Sequence, residues 1–382
     1  MRRNLSLTAA AIYFCTSTIA HADVVFGVIA PMTGQFASVG QAWKQSIDLY
    51  LQANGDTLEG QKVRVIYRDL PDPNPPKARA LAQELIVKEK ADILGGFMYT
   101  PNATAAANIA TQSKSPLIVF NAAGAGLTER SPYLTRVSYT QAQLTLPMAD
   151  YAIKSGMKRI ATIVSDYSSG IDAERTFVER FKAQGGEITN SIRVPLDNFD
   201  FAPFMQTIRA EKPDAVLSFT PGGVISIGLV KSFKANGLED QGIKLLTLGS
   251  EVDDTSTLPA LGSQALGVYS SNFYNPTLDT QVNRDFRQAF TQAYPKSEIG
   301  VVHVQAWDAM ELVRRMIEAA PEKFDGKKAI DSIKGYEWES PRGPIQIDAE
   351  TRDILQRAYI RQVTDIDSKM VNHGIDQFEA VR

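Results

Sequence analysis

Short apolar runs alternate with stretches of helical periodicity along most of the chain. Val24 to Ala30 is a near-continuous apolar run of the kind that forms a buried strand, and a helix is predicted from about Ser38 to Ala53. Val63 to Tyr67 predicts a second strand. A helix over Pro75 to Lys88 follows, with prolines at its start, where a missing N–H leaves no bond unmade. Its apolar residues Ala78, Leu81, Ala82, Leu85 and Ile86 have the i, i+3, i+4, i+7, i+8 spacing of one helix face. Ile93-Leu94 and Leu117 to Phe120 predict further strands with a helix between them. The plan then repeats. Ile160 to Val164, Ile188 to Val194, Ala215 to Phe219 and Lys244 to Leu248 predict strands. The helices between them end near Gly156, Gly185-Gly186 and Gly237, where a left-handed C-cap is wanted. Such alternation implies parallel sheets built from βαβ units. There are too many units for one ordinary sheet, so the expected fold is α/β, with two doubly wound parallel-sheet lobes.

The N-terminus changes the picture by suggesting a compartment. Arg2 and Arg3 precede a short apolar run from Leu5 to Tyr13, and Ala20-His21-Ala22 has the small-x-small pattern of a cleavage site. Together these predict a secretory signal over residues 1–22 and a mature chain beginning at Asp23. The apolar run is shorter than the roughly 20 residues that span a bilayer. Cys15 is the only cysteine and lies inside that segment, with no lipobox before it. The mature protein is therefore expected to have neither a disulfide nor a thiol-based metal site. Loss of two of the 40 basic residues, against 43 acids, takes the net charge from −3 to −5. A mildly acidic chain with mixed signs argues against a nucleic-acid partner or stable membrane insertion.

The motifs of common enzymes are missing. The histidines are His21, His303 and His373, and no H-E-x-x-H, G-x-S-x-G or P-loop pattern occurs. Gly124-Ala125-Gly126 continues as Leu127-Thr128-Glu129 without a third glycine. No catalytic residue, metal or cofactor is expected. Four loops that follow predicted strands do have ligand-holding chemistry. They are Pro31 to Ser38, Gly95 to Asn102, Asn121 to Gly126 and Ser165 to Gly170. Small residues and hydroxyls at the start of a helix leave amides and the positive end of the helix dipole open to a carboxylate.

An ordered set of segments carries a family resemblance. Pro31-Met32-Thr33-Gly34, Asp72 to Lys77 with Ala78-Arg79-Ala80-Leu81-Ala82, and Asp92-Ile93-Leu94-Gly95-Gly96 come first. Asn121-Ala122-Ala123, Ser165-Asp166-Tyr167 and Gly249-Ser250-Glu251 follow in the same order. This set resembles the type I periplasmic binding proteins of the leucine/isoleucine/valine-binding kind, over nearly the whole mature chain. The resemblance implies two lobes joined by three crossovers, at about 23–142 plus 275–353 and 143–274 plus 354–382. It also implies a periplasmic, monomeric, non-enzymatic protein that delivers a small-molecule ligand to an ABC transporter permease.

Site residues follow from the same resemblance. Tyr99, Thr100, Pro101 and Asn102, with Ala122, Ala123 and Gly124, match the loops that hold a ligand carboxylate. Phe36 supplies an apolar wall, Tyr167 and Ser169 belong to the opposite lobe, and Glu251 aligns with the acid that accepts an ammonium in amino-acid binders. Two departures stand out. Gly124 replaces a usual hydroxyl residue, and Ser169 stands where many members carry a Tyr. They weigh against a branched aliphatic amino acid, though the expected ligand stays open among a branched-chain amino acid, an aromatic amino acid and an aromatic acid, with Phe97 and Trp307 as further ring candidates. Two other readings compete: a sensory ligand-binding module for a small amide or amino acid, and an exported enzyme using dispersed carboxylates.

Overall fold

The computed structural model describes residues 23–196 and 200–380. The predicted signal segment, residues 1–22, lies outside the described residues. In chain order the first elements are β1 (Val24–Ala30), α1 (Ala37–Asn54), β2 (Thr57–Leu58), β3 (Gln61–Asp69), α2 (Pro75–Val87), β4 (Ile93–Gly96), α3 (Thr100–Ser113), β5 (Leu117–Val119) and β6 (Leu134–Arg136). The middle contains α4 (Gln141–Lys154), β7 (Arg159–Ser165), α5 (Ser168–Ala183), β8 (Glu187–Val194), α6 (Ala202–Glu211), β9 (Ala215–Phe219), α7 (Gly223–Ala235), β10 (Lys244–Leu248), α8 (Thr257–Leu261) and β11 (Tyr269–Asn272). The last part contains α9 (Gln281–Ala293), α10 (Val301–Glu318), α11 (Gly326–Ser332), β12 (Glu337–Ser340), β13 (Gly343–Ile347), β14 (Ile354–Gln356), β15 (Ala358–Ile366) and β16 (Lys369–Phe378).

Two sheets carry the molecule, as the alternation of strands and helices predicts. One has the order β2-β3-β1-β4-β5-β6 and the other β16-β15-β11-β10-β9-β7-β8. Within each, five strands run parallel in the same topological order, second-first-third-fourth-fifth. β1 is buried along its whole length because helices cover both faces of its sheet, which is why it reads as an unbroken apolar run. The chain leaves the first sheet after β6 and returns from the second after β11. It crosses again between β14 and β15; β15 joins the second sheet antiparallel to β11, and β16 pairs antiparallel to β15 at its edge. A small antiparallel sheet, β12-β13-β14, completes the part of the chain between the last two passages.

Helix ends were well marked in the sequence. Gly156, Gly185 and Gly237 adopt φ of 79°, 88° and 66°, so each closes its helix in the left-handed region that favours glycine. The face of α2 that buries Ala78, Ala82 and Leu85 is the one its spacing predicted. No helix among the described residues is long and apolar enough to cross a membrane.

Candidate functional site

In each sheet the strand order reverses between its first and third parallel strands, and at that point neighbouring loops part to leave a crevice beyond the strand ends. The reversal falls between β1 and β4 in one lobe and between β7 and β9 in the other. The helices leaving these four strands are α1, α3, α5 and α7. None has a side chain hydrogen-bonded across its N-terminus; the residues at those N-caps are Phe36, Tyr99, Tyr167 and Gly222. By contrast, α2 is capped by Asn74, α4 by Thr140, α9 by Thr280 and α11 by Asp325. First-turn amides have no partner within a helix, so uncapped helices at the crevice offer donors and positive dipole ends to an anion.

The first lobe supplies a rigid backbone. Gly124 N donates to Thr100 Oγ1 at 3.1 Å, and Gly124 O accepts from Arg136 Nη1 at 2.9 Å. Ala122 N donates to Phe97 O, and Ala122 O accepts from Ser138 Oγ at 3.0 Å. Ala123 is thus held between two fixed neighbours. Arg136 is itself anchored by Asp353 through two hydrogen bonds. A Cβ on Gly124 would collide with the Thr100 side chain, so the missing hydroxyl at this position follows from the inward-turned Thr100. Asn102 faces another way. Its Oδ1 accepts from Asn74 N at 2.8 Å and its Nδ2 donates to Asp72 O at 3.0 Å, which fastens the entry to α2. Pro101 is exposed in the first turn of α3.

Aromatic rings form a pair in each lobe. Phe36 meets Tyr99 edge to face with centroids 6.1 Å apart, and Tyr167 stacks on Phe219 at 6.2 Å. The Tyr99 hydroxyl bonds to Gln35, and the Tyr167 hydroxyl bonds to Ser169. Ser169 therefore steadies the Tyr167 ring from the adjoining helix turn. Burial raises the Tyr167 pKa, with Tyr139, Glu251 and Tyr99 adding to the rise. That coupling brings the first lobe's Tyr99 and the second lobe's Tyr167 into one electrostatic neighbourhood. Tyr139, on the first passage between sheets, lies 5.4 Å from Phe273 on the second. Burial pushes its hydroxyl up to about 12.

Glu251 lies beneath the second lobe's wall and is 1 % exposed. Its Oε1 accepts from Ser218 Oγ at 2.9 Å and Thr220 Oγ1 at 3.0 Å, while Oε2 accepts from Leu248 N at 3.0 Å. The Thr220 backbone N–H is a fourth donor. A carboxylate has about four lone-pair sites, and all are matched here by neutral donors of its own lobe. Burial pushes the carboxyl up to about 7 despite the opposing hydrogen bonds from Leu248, Ser218 and Thr220.

Of the ring candidates, Phe36, Tyr99 and Tyr167 take part in these pairs. Phe97 is fully buried within the first lobe's core, and Trp307 packs between Tyr50 and Phe286. Sequence reasoning missed Phe219 and Tyr139. Phe219 ends an apolar strand and reads as core. Tyr139 falls between elements with no periodicity to mark it. Among the described residues no group of three or more His, Cys, Asp or Glu could hold a metal ion.

Two lobes of one topology, with crevices at matched reversal points, define a class of two-lobed solute binders. The periplasmic binding protein family model matches residues 23–369, and the chain belongs to that family. A Leu/Ile/Val-binding protein homolog 6 of Brucella melitensis is 40 % identical over 380 residues, spanning 99 % of this chain and 97 % of that one. A solute-binding protein of an ABC transporter from Rhodopseudomonas palustris BisB5, solved with 3,4-dihydroxybenzoic acid, is 42 % identical with a TM-score of 0.88. That match covers 94 % of this chain and 98 % of its counterpart. A second such protein, from R. palustris HaA2 with p-hydroxybenzoic acid, is 40 % identical with a TM-score of 0.89, covering 94 % and 97 %. These relatives are solute-binding proteins, and this chain is a solute-binding protein of their type I fold.

Proposed function

We propose that this protein captures an aromatic carboxylate of the hydroxybenzoate class and presents it to an ABC importer. The observation that carries this reading is the pair of ring pairs, Phe36–Tyr99 on one lobe and Tyr167–Phe219 on the other. They suit a flat apolar body held between two walls, with the α3 N-terminus and the backbone around Ala123 to receive the carboxylate. The state of Glu251 separates this ligand from an amino acid. An ammonium needs an acceptor with free lone pairs, and the Glu251 oxygens are already occupied by four donors. The relatives solved with dihydroxy- and p-hydroxybenzoic acid support the same ligand class.

Tyr99, Thr100, Ala122, Ala123, Gly124, Phe36, Tyr167 and Ser169 contact or frame the ligand in this reading. Pro101 and Asn102 hold the α3 turn, and Glu251 supports the wall. The two lobes that close are 23–142 plus 275–353 and 143–274 plus 354–382. The protein works as an exported, periplasmic monomer with a permease as its partner and catalyses no reaction on its ligand.

The test is calorimetry and thermal shift on the mature chain with 4-hydroxybenzoate, 3,4-dihydroxybenzoate, leucine and phenylalanine. A hydroxybenzoate at 100 times its Kd should stabilise the fold by about 2.7 kcal/mol and be recovered unchanged. The two amino acids should give no shift. Tight leucine binding without hydroxybenzoate binding would overturn the assignment.

A further inference from the structure

Outside the ring-lined crevice, the lobes meet at a second place. The loop after β10 carries Asp253, which is 8 % exposed. Its Oδ2 accepts from Thr255 Oγ1 at 2.7 Å, Ser256 N at 3.0 Å and Ser256 Oγ at 2.8 Å. Its Oδ1 is buried with no hydrogen-bond partner. Facing that oxygen is the start of α10, an 18-residue helix of the other lobe, packed against α1. The N-cap there is Gly300, which has no side chain to offer. Its own N–H is taken by His303 Nδ1 at 3.1 Å and the His303 amide donates to Gly300 O at 3.0 Å, which leaves the Val301 and Val302 amides as the helix's first-turn donors. A Cβ built on Gly300 would lie 2.8 Å from Thr255 Cγ2 and 3.2 Å from Asp253 Oδ1. Glycine therefore lets the loop seat closely, and a side chain there would have to displace the Thr255 methyl. The φ of −139° and ψ of −176° at Gly300 are open to any residue, so the constraint comes from the other lobe and not from the backbone. Further out, Lys369 of the β15–β16 turn reaches Glu298 at 2.7 Å.

We propose that Asp253 and the N-terminus of α10 form a latch that holds the lobes closed. On closure, the unpaired Asp253 oxygen is brought against the positive end of α10, while Gly300 lets the two surfaces meet. A buried carboxylate oxygen without a partner is costly, so the contact is favourable only while the helix end faces it. The exposed Lys369–Glu298 pair contributes little beyond alignment.

The latch rests on the reading that the protein works by lobe closure, and two experiments separate the claims. In the first, Gly300→Cys and Thr255→Cys are combined in the mature chain, which has no other cysteine. A disulfide should form under mild oxidation without added ligand, since the two side chains would be in contact range. Failure to cross-link would overturn the latch whatever the ligand is. In the second, Gly300→Ala should weaken 4-hydroxybenzoate binding about tenfold by overpacking this contact in the closed form. Asp253→Asn should weaken it about two- to fivefold by removing the charge that faces the helix. The melting temperature of the ligand-free variants is the control for folding. Wild-type affinity in both variants, or a loss of fold equal to the loss of affinity, would overturn the proposal. If the unmodified protein ignores 4-hydroxybenzoate, the ligand assignment fails and the cross-link alone decides the latch.

Discussion

The two lobes share one topology but build their halves of the site differently. The first lobe offers main chain: Ala122 to Gly124, fixed on both sides by Thr100, Arg136 and Ser138. The second offers side chains: the Tyr167–Phe219 stack above a buried cluster of Ser218, Thr220 and Glu251. The same contrast appears in their buried ion pairs. Asp308 and Arg342 in the first lobe are both fully buried, and the guanidinium also reaches Gln356 Oε1 at 2.6 Å and Val137 O at 2.8 Å. Phe273 lies under it at 5.0 Å. One arginine thus touches the first two passages between the sheets and the end of β14, where the third begins. In the second lobe Arg361 meets Asp254 only at 3.5 Å, and its Nη2 has no partner. Backbone sites tolerate few shapes but any sequence of small residues, whereas a side-chain cluster is set by its individual members.

The comparison breaks most visibly if the first pair is cut. Asp308→Ala leaves Arg342 charged, buried and unpaired, and should cost about 3–5 kcal/mol in urea unfolding. Asp254→Ala should cost less, about 1–2 kcal/mol, because that pair meets only at 3.5 Å and the removed acid is itself partly exposed. Equal losses would mean that the difference in geometry has no energetic counterpart.

The small-residue loop that forms the main-chain half of the proposed site stood out in the sequence. Gly124, Ala122 and Ala123 stand in a run of small residues after an apolar strand, and strand ends are where open parallel sheets bind ligands. The role of Asn102 was not legible, because its partners at Asn74 and Asp72 depend on a tertiary approach of the α2 entry to α3. Glu251 was found through its place in an ordered series, but its surroundings were hidden. Ser218 and Thr220 lie more than 30 positions away; Ser218 reads as an ordinary strand residue and Thr220 as the first loop residue after it. The small β12-β13-β14 sheet and the β15–β16 pair also went unpredicted. β12, β13 and β16 lack the continuous apolar runs that marked the parallel strands, and the buried start of β15 includes the charged Arg361.

The cluster around Glu251 makes its own prediction in pH. Its carboxyl stands at about 7 in the folded protein, above the ordinary 4.5, chiefly through burial. The folded state therefore holds this proton at pH values where the unfolded chain has released it. Stability from this group is fully present below about pH 4.5, falls as pH rises towards 7 and is then level, a loss of about 3 kcal/mol. His303 works in the opposite sense, since burial pushes its imidazole down to about 3 and stability drops when pH falls below 6.5. Raw unfolding curves mix the two. The difference between wild type and Glu251→Gln isolates the glutamate, and a flat difference from pH 4.5 to 8 would remove the physical basis for its raised value.

The smallest effect tests the division between capped and uncapped helices. Thr140 starts α4 just past the first passage between sheets. Its Oγ1 accepts from Gln143 N at 3.2 Å, and Gln143 Oε1 accepts from Thr140 N at 3.1 Å. Gln143 also donates to Ile354 O at 2.7 Å on β14, the strand that leads into the third passage, so the cap sits in the framework between lobes. If the capped helices serve the framework and the four uncapped helices at the crevice serve the ligand, Thr140→Ala should lower stability by about 1 kcal/mol. Ligand affinity should then change less than about twofold, because the lost bond is the same in open and closed forms. Calorimetric titration and urea unfolding of the same preparation measure both quantities. A change in affinity exceeding the change in stability would place the α4 cap within the closing motion, and the line drawn between the two kinds of helix would fall.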